Sequence, residues 1–332
     1  MRKLILKKVW SFLVLGCLGG WLFPVSPALA QGPAGPLLEK PAPLAEEKKE
    51  EVPGAPTTCG PLISDTCLPI ETYHASLQFL WAMSFVRDSW NSNWRRVTAG
   101  GDYKTMSIPV KFTYGPTKDM EVYIVVPYIQ NWASNVNVTG PNGETSANYG
   151  GIGDITLVGK YNLLPEGDIR PAVTGVLGMG FPSGHASNLN PRFLGQDAIG
   201  SGAFTFITGV NLFKWLKPFL VHGQIWLNTP VNLFTSRNDA VRSRESLTVN
   251  LATEYPITKQ WVALIELYST WTWENISTPQ GFQSPSTVLG VLPGIEFLIN
   301  SHWSVAAGSA FDLWGKAGSA KITPMFTVYY SF

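Results

Sequence analysis

Few side chains in this sequence are of a kind that performs covalent chemistry, and fewer stand close together. The four histidines, His74, His185, His222 and His302, are scattered too widely for a metal site. One nucleophile lies beside a base, in His185-Ala-Ser187-Asn188, an order suited to acyl transfer if the imidazole takes the serine proton. Of the three cysteines, Cys59 and Cys67 are spaced too far apart for a CxxC redox pair. In an oxidising compartment they are expected to close a small disulfide ring worth roughly 2.5 kcal/mol. No Walker loop, HExxH, GxSxG or dinucleotide fingerprint occurs, so neither a metal, another cofactor nor an enzymatic activity is expected.

The charged residues form a richer set. Lys111, Glu121, Asp154, Lys160, Arg170, Glu254, Glu266, Glu296 and Lys321, together with His222, are expected on the polar side of segments whose alternate residues are apolar. All the acidic and basic members except Asp154 and Lys321 fall nearer the short turns that separate these segments. Lining a bore, such charges either screen solutes at a constriction or stitch the wall together as ion pairs. With a turn centred at residue 116, Lys111 and Glu121 are expected to face each other across the first short hairpin.

What must position them is a set of strands. The last is the clearest: Ile322, Pro324, Phe326, Val328, Tyr330 and Phe332 share one face, while Lys321, Thr323, Met325, Thr327, Tyr329 and Ser331 share the other. The same split recurs in Leu77, Phe79, Trp81 and Phe85 against Ser76, Gln78 and Ser84. It recurs again in Phe219, Val221 and Ile225 against His222 and Gln224. Short turns are expected near residues 117, 166, 215, 258 and 301, spaced for two membrane-length strands and one long loop each. The long loops fall at 87–101, 132–149, 183–201, 230–243, 274–286 and 313–319. Five short turns and six loops join about twelve strands, with both termini on the short-turn side.

Composition decides what surrounds those strands. Only 14% of residues are charged, against about 25% in a water-soluble domain. The 24 basic and 23 acidic residues exclude a basic nucleic-acid binder. Beyond the N-terminus no apolar run reaches the length of a spanning helix. In a soluble sandwich the polar faces would meet water, yet here they are mostly Thr, Ser, Asn, Gly and Tyr. The expected fold is therefore an all-β, antiparallel transmembrane β-barrel over residues 70–332, in the bacterial outer membrane with periplasmic termini. Tyr114, Tyr128, Trp132, Trp271, Trp273, Trp303 and Tyr330 suit its interfacial girdles. Twelve strands about 4.8 Å apart and tilted about 40° close at a backbone radius of roughly 12 Å, from which inward side chains take about 5 Å.

The N-terminus supplies the address. Arg2, Lys3, Lys7 and Lys8 precede an apolar run ending at Ala28-Leu29-Ala30, so residues 1–30 read as a signal peptide with Gln31 as the first mature residue. The alternative is a lipoprotein in which Cys17 carries the lipid. Residues 31–58, rich in Pro and Glu, read as a disordered linker, and residues 59–69 as a disulfide-stapled periplasmic segment.

Two stretches also resemble known families. His185-Ala-Ser187-Asn188 is similar to the His-x-Ser-Asn of the outer-membrane phospholipase, itself a twelve-stranded barrel, but Leu189 stands where that family has Gly. A broader resemblance rests on Gly150-Gly-Ile-Gly-Asp-Ile-Thr-Leu-Val-Gly-Lys-Tyr161, Gly178-Met-Gly-Phe-Pro-Ser-Gly184 and Gly200-Ser-Gly-Ala-Phe-Thr-Phe-Ile-Thr-Gly-Val210. These resemble the meta-pathway-of-phenol-degradation family of outer-membrane barrel transporters, over roughly residues 100–332. That resemblance implies passage of hydrophobic or aromatic compounds and assigns no binding residues. The glycines at 150, 151 and 153 and between 175 and 184 also allow a kinked wall, either to close the barrel or to open it sideways.

The expected function is thus an outer-membrane channel for passive uptake of small, aromatic or hydrophobic compounds. Lys111, Glu121, Lys160, Arg170, His222, Glu254, Glu266 and Glu296 are its pore-lining candidates. Expected partners are outer-membrane lipid and lipopolysaccharide, small-molecule solutes and the barrel assembly machinery. The alternatives are a non-conducting structural barrel with a periplasmic partner and, third, a barrel lipid hydrolase.

Overall fold

The computed structural model describes residue 58 and residues 60–137, 140–231, 244–273 and 284–332. The expected signal peptide, almost all of the linker, Cys17 and Cys59 lie outside the described residues. Antiparallel strands run in chain order as β1 (Ala75–Trp90), β2 (Arg96–Thr117), β3 (Met120–Ser134), β4 (Ala147–Ile152), β5 (Ile155–Leu164) and β6 (Ala172–Phe181). The second half comprises β7 (Phe204–Leu216), β8 (Phe219–Val231), β9 (Ser246–Pro256), β10 (Trp261–Thr272), β11 (Ser286–Leu298), β12 (Trp303–Lys316) and β13 (Gly318–Ser331). Apart from β4 and β5, each pairs with its sequence neighbours, and β1 pairs with both β2 and β13, so the sheet closes on itself. Because β4 and β5 occupy successive stretches of the same edge of β3, the thirteen strands make a twelve-position barrel.

Alternation sorts the side chains as a membrane requires. Phe79, Trp81, Ile124, Leu157, Leu177, Ile225, Leu251, Ile265, Leu267, Ile295, Ile322 and Phe326 are exposed around the outside. Ser76, Asn211, His222, Gln224, Asn250, Glu266 and Thr327 are buried on the inside. An outer surface so rich in large apolar groups is stable in lipid and costly in water. At the short-turn end, aromatic pairs such as Trp303–Tyr330 (4.5 Å between ring centroids), Trp261–Phe297 (4.6 Å) and Phe219–Tyr255 (5.4 Å) form a girdle. There Ala75 and Phe332 exchange two backbone hydrogen bonds of 2.9 Å, which brings both barrel termini to that end.

Three expectations about the connections need correction. The loop expected at 313–319 is a tight turn at Ala317, with φ 48°, and the loop at 87–101 shrinks to residues 91–95. Strands β1 and β2 continue through 16 and 22 residues, longer than the membrane needs, because backbone pairing persists into the rim wherever both partners run on together. Lys111 does not face Glu121. The first short turn is Lys118–Asp119, displaced from residue 116 by a bulge between Tyr114 and Thr117, so Lys111 stands opposite Val125 and Glu121 opposite Lys160 of β5.

The wall is interrupted between β4 and β5. Between the pairs Val125–Thr156 and Tyr128–Ile152, the β4–β5 side carries one residue more than β3. Pro127, facing that bulge, has no N–H to offer and accepts a 2.8 Å bond from the Gly153 N–H. Strand β6 ends at Phe181, opposite Ile155, so among the described residues β4 is strand-paired only to β3. The β6–β7 loop covers its free edge. Tyr149 stacks on His185 (5.5 Å) and meets Phe193 edge-on (5.3 Å). The Gly184 and Ser201 N–H groups donate to the Asp154 carboxylate at 2.9 and 2.7 Å. A Cβ on Gly184 would lie 2.7 Å from Gly200 Cα, so this closure of the loop requires glycine at that position.

Candidate functional site

The bore is occupied by the chain's own residues 60–72. Residues 60–69 of the segment expected in the periplasm lie in the barrel interior, where Leu62, Ser64 and Cys67 are buried. Leu62 packs with Leu264, Leu292, Ala306, Ala310 and Met325 from four strands. Cys67 packs with Ala172, Phe213 and Leu220. Apolar residues of the plug thus fill the space that inward side chains of a twelve-strand wall leave open.

The expected Cys59–Cys67 ring depends on Cys59, which lies outside the described residues. Cys67 carries a free thiol, whose Sγ donates to Thr174 Oγ1 at 3.3 Å, while the Thr174 hydroxyl donates to the Cys67 carbonyl at 2.7 Å. Burial pushes this thiol's pKa up. Position 67 is therefore packed as an interior residue, where the spacing alone suggested a surface staple.

Polar contacts hold the plug at three heights. At the first, the Glu266 carboxylate on β10 accepts the N–H groups of Leu62 (2.5 Å), Ile63 (3.0 Å) and Ser64 (2.8 Å) and the Ser64 hydroxyl (2.8 Å). Three successive N–H groups converging on one carboxylate form an anion nest. At the second, Asp65 reaches Lys111 Nζ of β2 (3.1 Å), Lys160 Nζ of β5 (3.2 Å) and Asn211 Nδ2 of β7 (2.9 Å). Its own N–H donates to Gln224 Oε1 of β8 at 2.9 Å. At the third, the Ile70 N–H donates to Glu121 Oε2 of β3 at 2.9 Å. Lys160 joins the last two levels, pairing with Glu121 at 2.8 Å while donating to the Thr66 carbonyl at 2.9 Å.

The pore-lining candidates therefore divide. Glu121, Lys160 and Glu266 are buried on the inner wall, Lys111 is partly buried, and all four bind the plug. His222 and Glu254 are buried elsewhere on the wall, with Nε2 3.2 Å from Oε1 and the imidazole against the Phe213 ring. Glu296 is buried on β11. Arg170 is a correction: it lies exposed in the turn between β5 and β6, because β6 begins only at Ala172 and the inward alternation does not reach back to residue 170. Asp154 holds the loop beside β4, and Lys321 is exposed near the β12–β13 turn. Ser187 is exposed, while His185 Nδ1 contacts the Asp197 carbonyl at 3.0 Å.

Asp65, Ser64, Asn211 and Thr174 escaped sequence reasoning. The available signal was local: Ser64-Asp65-Thr66 lies between Leu62-Ile63 and Cys67-Leu68, a mix of bonding and packing side chains unlike the Pro/Glu stretch before it. Asn211 is further held by Trp226 Nε1–H at 2.8 Å, which aims its amide N–H at the plug.

The Asp65 contacts make the plug sensitive to acid. Burial alone raises the carboxyl pKa, but Lys111 and Lys160 outweigh it and hold Asp65 below its ordinary 3.8. A carboxyl lowered in the seated state adds hold that is complete above the released value and is lost as pH falls through the seated one. Single-channel conductance of the chain beginning at Gln31 is expected to rise as pH drops below about 4, and Asp65→Ala is expected to flatten that rise.

At the long-loop end, the Glu144 carboxylate accepts the Asn142 N–H (2.9 Å) and Arg192 Nε–H (2.9 Å), tying the β3–β4 loop to the β6–β7 loop. These bonds, the Asn142 N–H first, hold its carboxyl at about 2. Beside this tie opens a cleft of about 650 Å³, lined by Tyr103, Val136, Pro141, Pro191 and Leu194, a volume within the range of small-molecule sites.

A solved outer-membrane channel shares this architecture. The COG4313 outer membrane channel from Pseudomonas putida F1 is 12% identical, with a TM-score of 0.61 over 80% of this chain and 97% of that one. The translocator domain of autotransporter NalP from Neisseria meningitidis is 11% identical, with a TM-score of 0.48 over 79% and 90%. The CymD monoaromatic hydrocarbon channel is 9% identical, with a TM-score of 0.39 over 79% and 89%. The first of these likenesses establishes the fold as that of an outer-membrane barrel. No curated protein matches the sequence. Residues 95–321 match the model of the family described as "Putative MetA-pathway of phenol degradation", which takes in most of the barrel and all three glycine-rich motifs, and the chain belongs to that family.

Proposed function

We propose that this protein is an outer-membrane channel for passive uptake of small hydrophobic or aromatic compounds, gated by its own N-terminal segment. The observation that carries the reading is the plug. Leu62 and Cys67 pack inside the bore, and Glu266, Lys111 and Glu121 tie their segment there, which narrows the path for hydrated solutes. The free edge of β4 supplies a second way out. Apolar compounds collected in the loop-end cleft pass between β4 and β6 when the β6–β7 loop lifts from Asp154. Membership of a family described by phenol degradation, and the likeness to a solved outer-membrane channel, agree with cargo of this kind. The short-turn end, with both barrel termini, is assigned to the periplasm.

The filled interior also favours the alternative of a non-conducting structural barrel, and permeation separates the two. In proteoliposomes of the chain beginning at Gln31, a small neutral aromatic such as benzamide is expected to enter faster than a disaccharide of similar charge. Asp154→Ala, which frees the loop, is expected to increase aromatic entry and leave the disaccharide excluded. No entry of either solute by the native chain or the variant would leave the structural barrel standing.

A further inference from the structure

Asp65 sits in a receptor that the wall builds and the plug fills. Its carboxylate is met by an ammonium from β2, an ammonium from β5 and an amide from β7, at 3.1, 3.2 and 2.9 Å. All three donors stand on barrel strands, and each is positioned by a neighbour of its own. Lys111 Nζ lies 3.9 Å from the centre of the Tyr123 ring, Lys160 is held by Glu121 at 2.8 Å, and Asn211 by Trp226 at 2.8 Å. A donor set preorganised on rigid elements binds an anion without needing that anion to be part of the chain.

Charge balance specifies the ligand. Without Asp65, the two lysines face one wall carboxylate, Glu121, so the site keeps one unpaired positive charge. Lys160 keeps Glu121 at 2.8 Å, whereas Lys111, whose ion pair is with Asp65, loses its carboxylate. Release of the plug therefore leaves a site that takes up one negative charge. The geometry around Asp65 asks for a carboxylate, since two oxygens share three donors. Beside it lies an apolar group of Tyr123, Val158, Val176 and Ile207, with Trp226 packed against it. The body of a small aromatic or branched aliphatic acid fits such a surface.

We propose that Lys111, Lys160 and Asn211 form a binding site for small aromatic monocarboxylates, which Asp65 occupies while the plug is seated. This rests on the channel reading and sharpens it: an anionic aromatic solute exchanges with Asp65, so the solute itself favours the open state. Neutral aromatics gain nothing from the site.

The test compares benzoate with benzamide, which has nearly the same shape and no charge. Both are titrated into the refolded chain beginning at Gln31, native and Asp65→Ala, with binding read by calorimetry and tryptophan fluorescence. Charge-assisted hydrogen bonds to a buried site imply that Asp65→Ala binds benzoate at least about tenfold more tightly than benzamide. The native chain binds benzoate more weakly than the variant because Asp65 competes. Adding Lys111→Met to Asp65→Ala is expected to bring the two ligands within about twofold of each other. Equal affinities in Asp65→Ala, or a benzoate preference that survives Lys111→Met, would overturn the proposal. Should Asp65→Ala fail to fold, Asp65→Ser, which keeps a small polar group facing the lysines, carries the same comparison. Permeation keeps the two readings apart. A charge-selective site in a barrel that passes neither ligand supports the site and removes the channel, whereas equal binding with free entry of both removes the site alone.

Discussion

Glu266→Ala is expected to raise the conductance of the full-length mature chain several-fold. The substitution removes one carboxylate and orphans the N–H groups of Leu62, Ile63 and Ser64 together with the Ser64 hydroxyl. Leu62 and Ser64 are buried, so water does not replace the lost acceptor while the plug stays seated. Each buried donor left without a partner costs roughly 1–3 kcal/mol, and together they outweigh the packing of one leucine, worth about 1.5–3 kcal/mol. Residues 62–64 then leave the wall at β10 and widen the path, while Asp65 and Ile70 keep their own ties. Glu266→Gln retains one acceptor oxygen and is expected to conduct at an intermediate level. Single-channel recordings on the three chains check the order. Conductance unchanged in both variants would mean that the nest does not hold the plug.

The second large effect concerns stability. Lys160 has a fully buried side chain and touches Glu121 at 2.8 Å, Asp65 at 3.2 Å and the Thr66 carbonyl at 2.9 Å. Lys160→Met leaves two carboxylates in the bore, Asp65 with Lys111 and Asn211 but Glu121 with only the Ile70 N–H. Breaking a buried ion pair from one side typically costs about 3–5 kcal/mol. A clear fall in the urea midpoint of the refolded barrel is expected. Lys160→Met combined with Glu121→Leu is expected to recover much of it, because no charge is then stranded. A double variant as unstable as the single one would place the role of Lys160 with Asp65 and the plug backbone instead of the wall.

The barrel itself was legible in the sequence because lipid and bore impose opposite demands on alternate residues. Phe79, Trp81 and Phe326 face outward, and Gln78, Met325 and Thr327 inward, as period-two reading requires. Register was less legible. A bulge after Tyr114 and a turn at Lys118–Asp119 moved Lys111 away from Glu121, and nothing in a local pattern announces a single extra residue. The same limit applied to Arg170, where alternation was carried back past the true start of β6.

The sequence by itself determined a closed antiparallel barrel of about twelve strands, its apolar exterior and the polar residues on most of its inner wall. These follow from side-chain direction along single strands, which is a local property. Tertiary structure alone decided what those inner residues bind. Glu266 meets Leu62, Ile63 and Ser64 across some two hundred positions, and Asp65 gathers Lys111, Lys160 and Asn211 from three separate strands. Buried charges and backbone N–H groups must find partners somewhere, but closure of the ring determines which of them come within reach, and no spacing along the chain encodes that.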